Sequence, residues 1–244
     1  GPGEALTQTE NTQPCLFLTD LACARALEAA GIKADVAAGF SLGELPALSF
    51  AGVLSDDDAF RLVTLRGQKM SECAAKHPGS MVAALKLDNA KVEEVCAGFK
   101  NVYPVNYNCP GQVVISGDEK GIDAACEKML AAGAKRALKL KVGGAFHSPI
   151  MEPARAELAE AIAHTQFFEP KCPVYQNVSA QAVTDPDAIK ANLIAQLTAP
   201  VRWTQSVLNM IADGATSFTE VGPGNVLQGL IKKINKEVET SGIQ

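Results

Sequence analysis

No apolar run in this sequence approaches the ~20 residues that span a bilayer, and no basic start leads into an apolar core of signal-peptide type. A membrane span and a secretory leader are therefore not expected. Basic residues are not in excess either, with 22 Lys and Arg against 27 Asp and Glu and a formal charge of −5. A duplex-binding protein needs a basic stripe, and only the short pairs Lys135-Arg136 and Lys232-Lys233 stand out, so nucleic acid is excluded as an expected partner. Cysteine is present but unorganised. The seven residues are odd in number, form no C-x-x-C, and never pair with a histidine at ligand spacing, so no metal site is expected. They fit reduced core cysteines of a cytoplasmic protein. Aromatics are scarce at 5% and histidines number three; internal repeats and low-complexity stretches are missing. An initiator methionine is missing as well: the chain opens Gly1-Pro2-Gly3, as expected of one processed, cloned from within a gene, or cut.

What remains is an ordinary globular composition, 47% apolar and 20% charged over 244 residues. That suffices for one large α/β domain, or a large domain carrying a smaller one. A helix is expected over 13–30, stopped by Gly31. A short buried strand over 35–40 then runs into Ser41. A helix follows over 42–50, and another opens at Ser55 with Asp58 at capping-box spacing, running towards Cys73. Strand, turn and helix in quick succession point to a parallel sheet.

From Gly79 the rhythm changes. Strand patterns over 80–87, 102–107, 112–116 and 135–142 alternate with helical patterns over 89–99 and 120–132. The order βαββαβ is that of a ferredoxin-like unit, so residues 78–145 are expected to form an inserted small subdomain. Residues 1–77 and 146–244 then make up the discontinuous large domain. In the latter part helices are expected over 149–165, 187–197, 201–213 and 225–238, with strands over 173–179 and 217–221.

Gly39-Phe40-Ser41-Leu42-Gly43 fits G-x-S-x-G between an expected strand and an expected helix. In that context a serine sits on a strained turn, with its hydroxyl above a helix N-terminus that favours a developing oxyanion. A side chain at either glycine is expected to collide with neighbouring strands. The alternative is a glycine-flanked turn serine with no chemistry. A nucleophilic serine needs a base, for which histidine has the right pKa range. His77 lies in a polar loop and His164 near a helix end, and both are expected at the surface. His147, in the small-residue loop Gly143 to Pro149, is the remaining candidate; it also reads as a packed loop histidine. Arg66 sits among Leu62, Val63 and Leu65. It is either a surface residue with its stem along the core or a guanidinium facing Ser41, suited to hold a carboxylate through two parallel hydrogen bonds.

Taken in order, the stretches Thr9 to Pro14, Gly39 to Glu44, Arg66-Gly67, Asn106 to Gly117, Gly144 to Ser148, Pro200 to Trp203 and Glu220 to Gly224 resemble the malonyl-CoA:acyl-carrier-protein transacylase family. The likeness extends along the whole chain. It implies an α/β-hydrolase-like large domain with a parallel sheet and an inserted ferredoxin-like subdomain. By the same resemblance Ser41 is the acylated nucleophile, His147 its general base and acid, and Arg66 the partner of the malonyl carboxylate. The Leu42 N–H would form half the oxyanion hole, and the main-chain carbonyl of Gln196 would orient His147. The Ala145-Phe146-His147 form resembles malonyl-selective members. Malonyl-CoA and a phosphopantetheinylated acyl carrier protein are the implied partners, with Lys69, Lys135, Lys139 and Lys141 as docking candidates. No cofactor or metal is implied.

Two departures stand out. The family usually has histidine where this chain has Phe40, and it begins with a strand and a Gly-Gln-Gly loop that completes the oxyanion hole, a segment not found here. Two rivals follow. A serine esterase shares G-x-S-x-G, but its histidine normally lies near the C-terminus, whereas a long stretch follows His147. A non-catalytic, truncated acyltransferase scaffold is the other.

Overall fold

A computed structural model describes residues 2–244, and Gly1 lies outside them. After one short turn, α1 (Gly3–Leu6), the chain enters α2 (Thr9–Ala29), which begins earlier than expected and contains Pro14. Proline removes one helical hydrogen bond. The turn before it is held from outside: Thr12 Oγ1 donates to the Gln8 carbonyl at 2.9 Å, and Asn11 Nδ2 to that of Ala5 at 3.1 Å. Close packing adds to this, since a Cβ at Gly67 would stand 3.1 Å from the Thr9 carbonyl.

The strand expected over 35–40 shrinks to β1 (Ala37–Ala38). It leads through Gly39 into a 3-10 turn, Ser41–Gly43, and then α3 (Glu44–Phe50). Helix α4 (Asp56–Lys76) starts as its spacing predicts, with Ser55 Oγ accepting the Asp58 N–H at 3.0 Å and Asp56, Asp57 and Asp58 in the first turn.

Next come β2 (Gly79–Leu85), α5 (Asn89–Ala97), β3 (Val102–Cys109), β4 (Gln112–Asp118), α6 (Glu119–Ala131) and β5 (Arg136–Lys139). They form a four-stranded antiparallel sheet ordered β3-β4-β2-β5 with two helices, a ferredoxin-like unit. Side chains alternate between its faces. Val82, Ala84, Val113 and Ile115 pack under the helices with Val92, Ile122 and Met129, whereas Met81, Ala83 and Val114 join the large core. Burial on both faces explains why these strands read as continuous apolar runs. The chain enters and leaves this unit at one place, where Pro78 and Gly144 form an antiparallel bridge.

The rest comprises a 3-10 turn at Pro149–Met151, α7 (Glu152–Ala163), β6 (Val174–Tyr175), β7 (Ala182–Val183), α8 (Pro186–Ala195), a 3-10 turn at Gln196–Thr198, α9 (Trp203–Ala212), β8 (Ser217–Val221), α10 (Val226–Ile234) and β9 (Glu239–Ile243). Among the described strands, parallel pairing is confined to β1 with β6 and β8 with β9; β7 is antiparallel to β6. The strand expected over 173–179 thus keeps only two residues. The final helix ends four residues short of Val238, and Asn235 is already extended. Strand β9 leaves no sequence signal, because Glu-Thr-Ser-Gly-Ile contains a single apolar residue, and the backbone ladder to β8 makes it. Phe17, Leu45, Leu48, Val63, Met151, Leu158, Ile162, Val174, Ile189 and Leu197 form the main core beneath the Ser41 turn. Among the described residues no helix is long and apolar enough to cross a membrane.

Candidate active site

The turn after β1 is tight enough to dictate its own composition. An added Cβ at Gly39 would run into the Gly43 carbonyl, so only glycine fits. Gly43 has φ −60° and open space around it. The expectation for the two glycines is therefore corrected: one is sterically required, and the obstacle is the turn's own backbone, not a neighbouring strand. Ser41 has φ 53° and His147 φ 59°, both in the left-handed region that side chains avoid. Phe40 points away and packs edge-on to Trp203, with ring centroids 5.6 Å apart.

Ser41 Oγ lies 2.6 Å from His147 Nε2 although 106 positions separate them. His147 Nδ1 lies 2.9 Å from the Gln196 carbonyl. A carbonyl only accepts, so Nδ1 carries the proton and the Nε2 lone pair faces the serine. The imidazole is buried. Burial first, and then the Arg66 charge, push its pKa down to about 4, which keeps it a neutral proton acceptor at pH 7. Ser148 steadies the loop, its hydroxyl donating to the Ala145 carbonyl at 2.6 Å. His77 and His164 are exposed, as expected.

Arg66 is 1% exposed, so the surface reading of this residue falls. From α4 its Nη1 donates to Gln13 Oε1 at 2.7 Å, and its Nη2 to Gln196 Oε1 and to Ser41 Oγ, each at 3.1 Å. Among the described residues its Nε has no partner. Burial lowers its pKa to about 10, against the opposing pull of Glu44, and leaves it cationic at neutral pH. The Leu42 N–H stands at the start of the 3-10 turn, among the N–H groups that a helix start leaves without an intrahelical acceptor.

Gln13, Glu44, Asn177 and the side chain of Gln196, of which only the main-chain carbonyl is expected here, are given no role by the sequence. Gln13 holds Arg66 and also donates to Met70 Sδ at 3.2 Å. Glu44 is fully buried, Asn177 is 1% exposed, and the Gln196 side chain donates to the Ser41 carbonyl at 3.0 Å. Gln13 and Glu44 stand inside the resembling stretches, which is the one signal that marks them. Lys69 is engaged by Glu157 at 2.7 Å and Glu72 at 3.0 Å, while Lys135, Lys139 and Lys141 are exposed. Among the described residues no group of three or more His, Cys, Asp or Glu is placed to hold a metal ion.

An α/β fold with a serine–imidazole pair at a strand-to-helix turn, a main-chain carbonyl behind the imidazole and a buried guanidinium beside the hydroxyl defines a class of acyl-handling enzymes. Within it, the chain belongs to the acyl transferase domain family, whose model matches residues 1–242. It is 42% identical over 247 residues to a malonyl CoA-acyl carrier protein transacylase of Bacillus subtilis, covering 100% of this chain and 78% of the relative. A solved acyl carrier protein S-malonyltransferase from Vibrio cholerae matches with a TM-score of 0.96 and 43% identity, over 100% of this chain and 81% of that one. A malonyl-transacylase solved in complex with a type II polyketide acyl-carrier protein matches at TM-score 0.96 and 39% identity, over 100% of this chain and 80% of that one.

Proposed function

We propose that this chain is a malonyl-CoA:acyl-carrier-protein transacylase that works through a malonyl ester on Ser41. One observation carries the reading: a neutral imidazole and a buried guanidinium, a group suited to a carboxylate, converge on the same oxygen, at 2.6 and 3.1 Å. The first activates Ser41 as a nucleophile and the second favours a dicarboxylic acyl group.

In this reading His147 Nε2 takes the Ser41 proton as Oγ attacks the thioester carbon. The carbonyl oxygen becomes an oxyanion near the Leu42 N–H, the C–S bond breaks, and His147 returns the proton to the departing coenzyme A sulfur. The phosphopantetheine thiol of the carrier then gives its proton to His147 and attacks the ester, and the Oγ–acyl bond breaks as Ser41 regains the proton. The Gln196 carbonyl stabilises the imidazolium formed in between. Arg66 offers a fixed cation to the malonyl carboxylate throughout.

The inserted subdomain of residues 78–145 would form one wall of the cleft, tied to the large domain where Tyr107 N–H donates to the Val201 carbonyl at 2.9 Å. Exposed Lys135, Lys139 and Lys141 along its edge suit an acidic carrier protein. Seven free cysteines support a cytoplasmic setting.

Intact-mass measurement after mixing with malonyl-CoA tests the proposal. A malonyl adduct is expected on the wild type and none on Ser41→Ala, with discharge to phosphopantetheinylated carrier. Arg66→Ala should slow malonyl loading by about 10²-fold and acetyl loading far less. Coenzyme A release that ignores the carrier would favour the esterase reading, and a folded chain without adduct the scaffold reading.

A further inference from the structure

We infer that Asn177, itself fixed by Glu44, is a positioning residue for acyl transfer: its carboxamide clamps the Ser41 turn in the strained shape that presents the hydroxyl. The inference rests on the transacylase reading of the site. Ser41 occupies φ 53°, and a residue other than glycine stays there only when its surroundings enforce it. Asn177 Nδ2 donates to the Gly39 carbonyl at 2.6 Å, and its Oδ1 accepts the Ser41 N–H at 2.6 Å. Both partners are backbone groups with one possible role each, so the orientation of this amide is determined. A single carboxamide grips the turn on both sides of Phe40. A carboxylate only accepts, and alanine does neither. Because Asn177 occupies the Ser41 N–H, the Leu42 N–H is the donor left for an oxyanion.

The clamp has its own anchor. Glu44 Oε2 accepts the Asn177 N–H at 2.7 Å and Oε1 accepts Gln176 Nε2 at 3.1 Å. Gln176 Nε2 also donates to the Ile189 carbonyl at 3.1 Å, which fixes that amide as a donor. Both Glu44 oxygens therefore face donors, the pattern an ionised carboxylate fits; burial raises its pKa, and the hydrogen bonds from Asn177 and Gln176 and the Arg66 charge pull the other way. Glu44 begins the helix that the Ser41 turn starts, so the same short segment is held to residues 176–177 at both of its ends.

The test uses the full chain as wild type, Asn177→Ala and Asn177→Asp, with two readouts. One is the rate of Ser41 malonylation by quenched-flow intact mass. The other is labelling by a fluorophosphonate, which reports on Ser41 reactivity whatever the acyl donor. Asn177→Ala should slow both by about 10²-fold, with KM for malonyl-CoA moving less than about threefold. In Asn177→Asp the new carboxylate, ionised at pH 8, cannot donate to the Gly39 carbonyl; burial at this position beside the Glu44 carboxylate holds its pKa above the ordinary carboxylate range, so lowering the pH to 5.5 restores a group that both donates and accepts. The rate of Asn177→Asp relative to wild type should thus rise about tenfold or more between those pH values, while that of Asn177→Ala stays flat. The titratable groups around position 177 are Glu44, Arg66 and His147; all three proteins share them, and the flat ratio expected of Asn177→Ala is the control for their own titration. Labelling of Asn177→Ala within about threefold of wild type, a loss confined to KM, or an Asn177→Asp variant that tracks Asn177→Ala at every pH would overturn the inference. Should Asn177→Ala not fold, the nearly isosteric Asn177→Asp decides alone through its pH profile. A wild type that takes the fluorophosphonate but no malonyl group removes the malonyl reading and leaves the clamp to be judged on labelling.

Discussion

The core of the four-stranded unit and the cleft around Ser41 are both buried, and they are buried by opposite means. Val82 and Ile115 of the sheet pack against Ile122 and Met129 of α6, an apolar layer whose attraction has no direction. The cleft instead buries Gln13, Glu44, Arg66, His147, Gln176, Asn177 and Gln196, each of which must meet a partner at a set distance and angle. An apolar core follows from the period of the pattern and from volume. A polar one follows from which segments the whole fold brings together: Ser41 and Gln196 are 155 positions apart, and Arg66 and Gln196 are 130. Stability should therefore reside in the first region and activity in the second, and substitutions can separate them.

The largest separation is expected at the imidazole. His147→Asn removes the proton acceptor and should slow malonyl loading by about 10³-fold, while thermal melts at pH 8 stay close to wild type. The complementary change is Ile115→Ala, fully buried in the sheet. It should cost about 3 kcal/mol in urea unfolding, with the loading rate per folded molecule unchanged. A matching loss of activity would show that the two regions are mechanically coupled.

A smaller effect links burial in the cleft to pH. His147 titrates at about 4 in the folded chain, against about 6.5 when unfolded. Between those values the unfolded chain binds a proton that the folded chain refuses, so stability falls as pH drops from about 6.5 to 4, by up to about 3 kcal/mol. Urea midpoints across that range should show the slope in the wild type and lose part of it in His147→Asn. The smallest change sits away from both regions. Asp20 in α2 packs against Gly222, and burial, with Glu220 adding to it, raises its pKa to about 7. The folded state holds that proton more readily than the unfolded state, so this group costs stability as pH rises from about 4 through 7. Asp20 is only partly buried, so solvent screens most of this cost, and Asp20→Asn should raise Tm by about 2 °C at pH 8 and leave it unchanged at pH 4.

Residue pattern alone shows the ferredoxin-like order, since period-two strands and helices lie close together along the chain there. It also shows the capped start of α4 and the strained serine turn, because cap and turn chemistry act over three or four residues. The length of β1 and β6, the presence of β9, and the start of α2 ahead of Pro14 are not legible. Each depends on a partner elsewhere: β9 on the backbone of β8, and the first turn of α2 on the close approach of Gly67.

At the site, the residue types by themselves determined which groups have the right chemistry: a serine between glycines, a scarce histidine, an arginine on an apolar helix face. Only the tertiary structure decided that Arg66 points inward, that His147 carries its proton on Nδ1, and that Asn177 and Glu44 belong to the cleft. The reason is physical. A hydrogen bond needs its partner within about 3 Å, and no periodicity along a chain reports where a residue far away in sequence will lie.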